Sequence, residues 1–261
     1  MTDLVVATPR GLYCPAGDFC IDPWQPVARA VITHAHSDHL REGSGEYTLA
    51  AAGVPLARQR LLPDARLHPV AYGEPLQFGP VRVSLHPAGH ILGSAQVRIE
   101  HAGETWVITG DFKRDPDPTC APFEALRCDV LVSEATFALP LYRWSPTRDV
   151  VQEIFDWWQH NRARGVASLL FAYALGKAQR VLAELRAFTD EPVHVHGAVA
   201  TVTELYRAAG VDMLPTLPAT VERSQPHAGA LVLAPPSAFG SPWTRRFGDY
   251  SSGFCSGWMR V

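Results

Sequence analysis

From residue 1 to about residue 136 the 261-residue chain is a succession of short apolar runs broken by Gly, Pro and Asp. Ala30-Val31-Ile32, Val81 to Leu85, Trp106 to Thr109 and Val130 to Ser133 have the length and β-branched content of buried strands. Gln96 to Thr109 reads as a hairpin turning at His101-Ala102-Gly103-Glu104. After about residue 140 the texture changes. Pro146 opens a helical stretch with Val150, Val151, Ile154, Phe155 and Trp158 on one face, and Gly165 stands where a helix end calls for a left-handed residue. A strand at Ser168 to Phe171, a helix at about 177 to 188, a strand at Val193 to Val195 and a helix at about 199 to 209 follow. One further strand, Ala230 to Ala234, lies among Pro215, Pro218, Pro226, Pro235 and Pro236. The alternation predicts a parallel sheet flanked by helices, a second α/β unit behind a β-rich first one.

Composition narrows the class. A content of 47% hydrophobic and 19% charged residues belongs to a packed globular protein and excludes a disordered tail, a coiled coil or a collagen-like chain. No window approaches the roughly 18 apolar residues that span a bilayer, and the segment Met1 to Gly11 lacks a basic region followed by an apolar one. The expectation is a soluble, cytoplasmic protein with no membrane partner. Cys14, Cys20, Cys120, Cys128 and Cys255 form no C-x-x-C pair and are expected as reduced thiols. A net charge of −3 argues on its own against a polyanionic partner. Arginine outnumbers lysine heavily, since Lys113 and Lys177 are the only lysines; guanidinium forks suit phosphate, although a GC-rich genome gives the same bias.

The candidate chemistry sits directly after the apolar run 30 to 32, in Thr33-His34-Ala35-His36-Ser37-Asp38-His39. His34 and His36 on a loop leaving a strand can converge on one cation, while Asp38 and His39 face a second. Imidazole and carboxylate suit zinc, and also manganese or iron. His90, within Pro87-Ala88-Gly89-His90-Ile91-Leu92-Gly93-Ser94, completes a three-nitrogen site with His34 and His36, and the flanking glycines are expected to let backbone approach a ligand. Asp111 ends another buried strand and is placed to bridge to a second site formed with Asp38 and His39. Two cations about 3.5–4 Å apart clamp an in-line displacement at phosphorus. Asp22, before Pro23, is expected to fix an imidazole or the metal loop, with a turn-forming aspartate as the alternative. His194 and His196 are assigned to opposite faces of a strand, so that at most one serves a site; His68, His86, His101, His160 and His227 are read as surface or packing residues.

In these motifs the chain resembles the metallo-β-lactamase superfamily. Pro87 to Ser94, Gly110-Asp111-Phe112 and Ser133-Glu134-Ala135-Thr136 resemble its β-CASP nuclease branch. Gly11 to Phe19, Ala174 to Gln179, Val195 to Ala200, Ala234 to Ser237 and Ser256-Gly257-Trp258-Met259 resemble the bacterial DNA ligase-associated exonucleases. The resemblance covers nearly the whole chain. It implies an α/β fold in the α+β sandwich sense, a metallo-β-lactamase αββα domain over 1–140 with an inserted α/β β-CASP cap over 141–261. It further implies two divalent metals, Zn or Mn, held by His34, His36, Asp38, His39, His90 and Asp111. Asp38, Glu134 and Asp22 become the catalytic candidates: Asp38 as metal ligand and proton acceptor, Glu134 as the acid supporting a general-acid histidine, and Asp22 as the first-strand aspartate. Lys177, Ser241, Arg245 and Arg246 are the candidate phosphate contacts.

The implied function is metal-dependent hydrolysis of DNA, from an end, in repair or end processing, with a functional association with a DNA ligase. Three alternatives stand beside it: an RNA-processing nuclease of the same architecture, a thioesterase or lactone hydrolase of the superfamily, and an inactive metal-stabilised nucleic-acid-binding module. The family's Ser-x-His-like and Val-x-His-Gly-like segments do not follow before Val261. The expectation is therefore that the C-terminal part of the sandwich is missing, that sheet edges are exposed, and that the second metal site is incomplete. Because bound dications would outweigh the carboxylates at this site, the acidic balance remains compatible with a nucleic acid.

Overall fold

A computed structural model describes residues 3–139, 142–220 and 227–257. It divides into two compact units, residues 1–135 and 136–261.

The first unit holds two sheets. Strands β1 (Val6–Thr8), β2 (Gly11–Cys14), β3 (Phe19–Ile21), β4 (Arg29–Ile32), β5 (Glu46–Ala50) and β6 (Leu67–Val70) form one in sequential order, antiparallel up to β3 and parallel beyond it. The short helix α1 (Val54–Arg58) connects β5 towards β6. Strands β7 (Pro75–Phe78), β8 (Val81–Pro87), β9 (Ala95–His101), β10 (Glu104–Ile108) and β11 (Val130–Val132) form the other, in the order β11-β10-β9-β8-β7. Period-two alternation explains the core: Val81, Val83 and Leu85 of β8 are fully buried while Arg82 between them is exposed and reaches Glu100 on β9. Opposite them stand Val97 and Ile99, paired Leu85↔Val97 and Val83↔Ile99. Phe19, Ile21 and Val31 of the first sheet join these side chains in one apolar cluster, so the unit is a two-sheet sandwich. Of the expected αββα layering, the described residues of this unit supply the two sheets and one short α-helix. β11 ends its sheet with Leu131 57% exposed.

The hairpin turn carries Ala102 at φ 51° and Gly103 at φ 84°, the two left-handed residues a tight β-hairpin needs.

The second unit begins with α2 (Thr147–Ala163), which buries Val151 and Trp158 and is followed by Gly165 at φ 68°. β12 (Ala167–Phe171), α3 (Lys177–Glu184), β13 (Val193–Val195), α4 (Gly197–Ala208), β14 (Thr216–Pro218), β15 (Leu231–Ala234) and β16 (Tyr250–Phe254) complete it. The sheet order is β14-β13-β15-β12-β16 and every pairing is parallel. All five side chains of β12 are buried, as a central parallel strand requires.

Pro226, Trp258 and Met259, which entered the sequence reading, lie outside the described residues, as does the boundary at 140/141. No helix among the described residues is long and apolar enough to cross a membrane. The five cysteines are free thiols, Cys14 and Cys20 buried.

Candidate metal centre

β4 is buried on both faces and delivers the chain into Thr33 and His34, both buried. One turn then folds back, Leu40 N–H donating to the carbonyl of His36 at 2.8 Å, which turns His36 and His39 towards one side. His90 arrives from the loop after β8 and Asp111 from the end of β10.

The ligand atoms of His34, His36, His90 and Asp111 all lie within 4.8 Å of one another. His34 Nε2 stands 2.9 Å from His36 Nδ1, His90 Nε2 stands 3.3 Å from the same atom, and Asp111 Oδ2 lies 3.7 Å from His34 Nε2 and 3.4 Å from His90 Nε2. Donors about 2.0–2.1 Å from a tetrahedral cation stand roughly 3.3 Å apart, so three imidazoles and a carboxylate at these spacings fit a small divalent ion. Burial, reinforced by the neighbouring His39, His36 and His90, holds the His34 imidazole well below its ordinary pKa. It therefore stays neutral, the form that binds metal. Its tautomer follows from its neighbour. The Thr33 hydroxyl donates to Asp22 Oδ2 at 2.6 Å, so its oxygen accepts from His34 Nδ1 at 3.0 Å and leaves the Nε2 lone pair facing the other donors.

Asp38 and His39 stand one step outside this group. His39 Nδ1 donates to Asp22 Oδ2 at 2.8 Å, and its Nε2 lies 3.7 Å from Asp38 and 3.8 Å from Asp111 Oδ1. Asp111 thus offers one oxygen to His34 and His90 and the other to His39. Burial alone would lower the His39 pKa, but the hydrogen bond and charge of Asp22, with Asp111 and Asp38, raise it to about 9. Burial raises the Asp111 carboxyl; His39 opposes this, and Glu134, Asp38 and Asp22 add to it. The Asp38 side chain is 73% exposed.

Asp22 itself sits at φ 41°, a conformation Asp tolerates better than most residues, and its carboxylate accepts from Thr33 N–H, the Thr33 hydroxyl and His39. Glu134 is exposed, its N–H donating to Thr109 Oγ1 at 3.1 Å. Gly89 and Gly93 are required by the close approach of the chain itself. A Cβ at Gly89 would stand 2.3 Å from the Lys113 carbonyl and one at Gly93 2.2 Å from the Gly53 backbone, so these glycines admit neighbouring chain. Two residues escaped the sequence reading. Thr33 sets the His34 tautomer, and Ser94 Oγ accepts from the N–H groups of His90 and Ile91, shaping the His90 loop. Both stand inside motifs rich in stronger ligands, which is why their hydroxyls carried no separate signal.

Lys177, Ser241, Arg245 and Arg246 all lie in the second unit. Lys177 opens α3, Arg245 and Arg246 are exposed, and Ser241 is committed to its own turn, donating to Ala238 O and accepting from Trp243 N–H. The expectation for His194 and His196 needs correction. Positions i and i+2 of a strand share a face. The rings of His194 and His196 are joined through His227, Phe247 and Trp243, with centroids 4.3, 5.3, 4.9 and 4.9 Å apart along that series.

No family model matches the chain. A probable DNA ligase of Opitutus terrae is 31% identical to it over 251 residues, covering 95% of this chain and 24% of that protein. Ribonuclease TTHA0252 of Thermus thermophilus is 29% identical, over 63% of this chain and 44% of the relative. Transcription termination factor FttA of Pyrococcus abyssi is 32% identical, over 59% and 26%. The chain thus spans between about a quarter and under half the length of these relatives. Among solved structures, a protein of unknown function from Enterococcus faecalis superposes with a TM-score of 0.57 at 12% identity, over 88% of this chain and 69% of that one, a likeness of fold alone. Taken with the histidine and aspartate centre built from three strand ends, these relatives place the chain in the metallo-β-lactamase superfamily, in its β-CASP nuclease branch.

Proposed function

We propose that the protein hydrolyses phosphodiester bonds of DNA with divalent metal, working from a strand end in repair or end processing. The observation that carries this is the convergence of His34, His36, His90 and Asp111, within 4.8 Å, in a chain of this branch. These four would hold one cation, and Asp111 with Asp38 and His39 would hold a second; zinc and manganese both suit the donors. Bound there, divalent ions supply Lewis acidity for the charge developing at phosphorus and lower the pKa of water.

The chain's own groups supply orientation and proton handling. Thr33 and Asp22 fix which ring nitrogens of His34 and His39 face inward. The exposed Asp38 carboxylate, beside His39 Nε2, is placed to accept the proton of the attacking water. Glu134, whose charge is felt at Asp111, is the acid that would support a general-acid histidine of the kind the resemblance implies. Residues 1–140 act as the metal domain and 141–261 as the β-CASP cap, where Lys177, Arg245 and Arg246 contact phosphates and Ser241 would join them only by giving up its hydrogen bond to Ala238 O.

DNA is favoured by the relative named a probable DNA ligase, which aligns over 95% of this chain and supports a functional association with a ligase. RNA is the second reading, favoured by the relative named a ribonuclease. End-labelled DNA and RNA strands digested side by side with Mn or Zn, and again after chelation, separate the two. The expected result is progressive, metal-dependent shortening of DNA. Digestion of RNA alone would transfer the proposal to an RNA substrate.

A further inference from the structure

Because every pairing in the second unit's sheet is parallel, the carboxyl ends of its strands lie along one edge, the edge at which open α/β sheets receive ligands. Three aromatic rings stand exposed at the ends of β12, β15 and β16: Tyr173 at 56%, Phe239 at 50% and Phe254 at 37%. Phe239 and Phe254 pack on each other at 4.9 Å, and both rest on the buried Phe171 at 5.2 and 5.1 Å, so the outer rings are held from below. The charge of this edge opposes that of the whole chain. The segments leaving β12 and β15, residues 172–177 and 235–249, contain Lys177, Arg245 and Arg246 against one carboxylate, Asp249 where the chain enters β16, in a protein of net charge −3. Arg246 lies over the Trp243 ring, 5.6 Å from its centroid, which presents its guanidinium as a flat stacking surface as well as a charge.

We infer that this edge is a stacking platform for an unpaired polynucleotide strand. Tyr173 and the edge-to-face pair Phe239 and Phe254 offer their exposed faces to bases while Lys177, Arg245 and Arg246 follow the backbone phosphates. Rings combined with an excess of cations suit a polyanion whose π-faces are open. A duplex hides its base faces within its own stack and offers the rings nothing. The inference deepens the nuclease reading and rests on it for the identity of the strand as substrate; the binding itself is measurable without turnover.

The test uses the full chain in EDTA, with fluorescein-labelled single strands of DNA and of RNA and the same DNA annealed to its complement, read by anisotropy. The platform is expected to bind single strands more tightly than duplex, and Tyr173→Ala and Phe239→Ala are each expected to weaken single-strand binding about fivefold or more. Arg245→Ala and Arg246→Ala are expected to reduce the salt dependence of binding. The DNA and RNA arms show which strand is held more tightly. Should Phe239→Ala fail to fold, the more exposed Tyr173 keeps the question answerable. Single-strand binding unchanged by Tyr173→Ala, or duplex bound as tightly as single strand, overturns the platform. A wild-type chain that binds strands in EDTA but cleaves none when metal is restored overturns the nuclease reading and leaves the platform standing.

Discussion

Asp22 Oδ2 accepts from His39 Nδ1 at 2.8 Å, and the same carboxylate accepts from the Thr33 backbone and hydroxyl, so one side chain before Pro23 orients residues on both flanks of the metal loop. Asn keeps the shape and tolerates the left-handed backbone of Asp22, but it loses the charge and one acceptor. Asp22→Asn is expected to lower metal affinity or turnover by about 10- to 100-fold, in line with other groups that orient metal-binding imidazoles. Metal titration alongside initial rates checks it; wild-type affinity and rate in the variant would remove Asp22 from the role.

Gly110 stands at φ 53°, and a Cβ there would lie 2.6 Å from Thr33 Cβ and Oγ1. Gly110→Ala is expected to displace Thr33 or Asp111 and to cost more than about 1 kcal/mol of stability, through both backbone strain and overlap. Thermal unfolding of the metal-free protein measures it, and an unchanged melting temperature would show that the strand end relaxes freely.

The sandwich core sets a contrast. Leu85 is fully buried between the sheets, whereas Leu131 on β11 is 57% exposed. Leu85→Ala is expected to cost about 2–5 kcal/mol and Leu131→Ala no more than about 0.5 kcal/mol in urea unfolding. Equal effects would contradict the packing described.

His196 and His227 both have pKa values lowered from the usual 6.5, first by burial and then by Arg246 for His196 and His194 for His227. The unfolded chain therefore takes up protons before the folded one as pH falls through 6.5, and stability contributed by the neutral rings is lost on the acid side. The double variant His196→Gln with His227→Gln is expected to show a shallower fall in unfolding free energy between about pH 7 and pH 5 than the wild type. An identical slope would mean that these rings titrate alike in both states.

Much of the candidate site is legible in sequence because its ligands follow strands that are themselves legible. Ala30-Val31-Ile32 is buried throughout, so the loop it feeds begins at a fixed point, and His34 and His36 converge from there. The hairpin at His101 to Glu104 and the strand and helix alternation after Pro146 are equally local signals. Strand β16, Tyr-Ser-Ser-Gly-Phe, carries no such signal. Its pairing with β12, Leu169 opposite Ser252, supplies what its own residues lack. β6 contains Pro69 and is an edge strand, where a missing N–H costs little. The role of Asp22 depends on partners 11 and 17 residues away, a distance at which spacing says nothing about hydrogen bonds.

His34, His36, His90 and Asp111 are expected to hold the metal that drives strand hydrolysis. The most direct measurement is the rate of shortening of an end-labelled DNA strand by the wild type, by the chelated and remetallated wild type, and by His36→Ala, with bound metal quantified for each. Chelation is expected to abolish the reaction, Mn or Zn to restore it, and His36→Ala to lose both metal and activity while keeping its fold. Cleavage by His36→Ala at the wild-type rate would contradict this assignment.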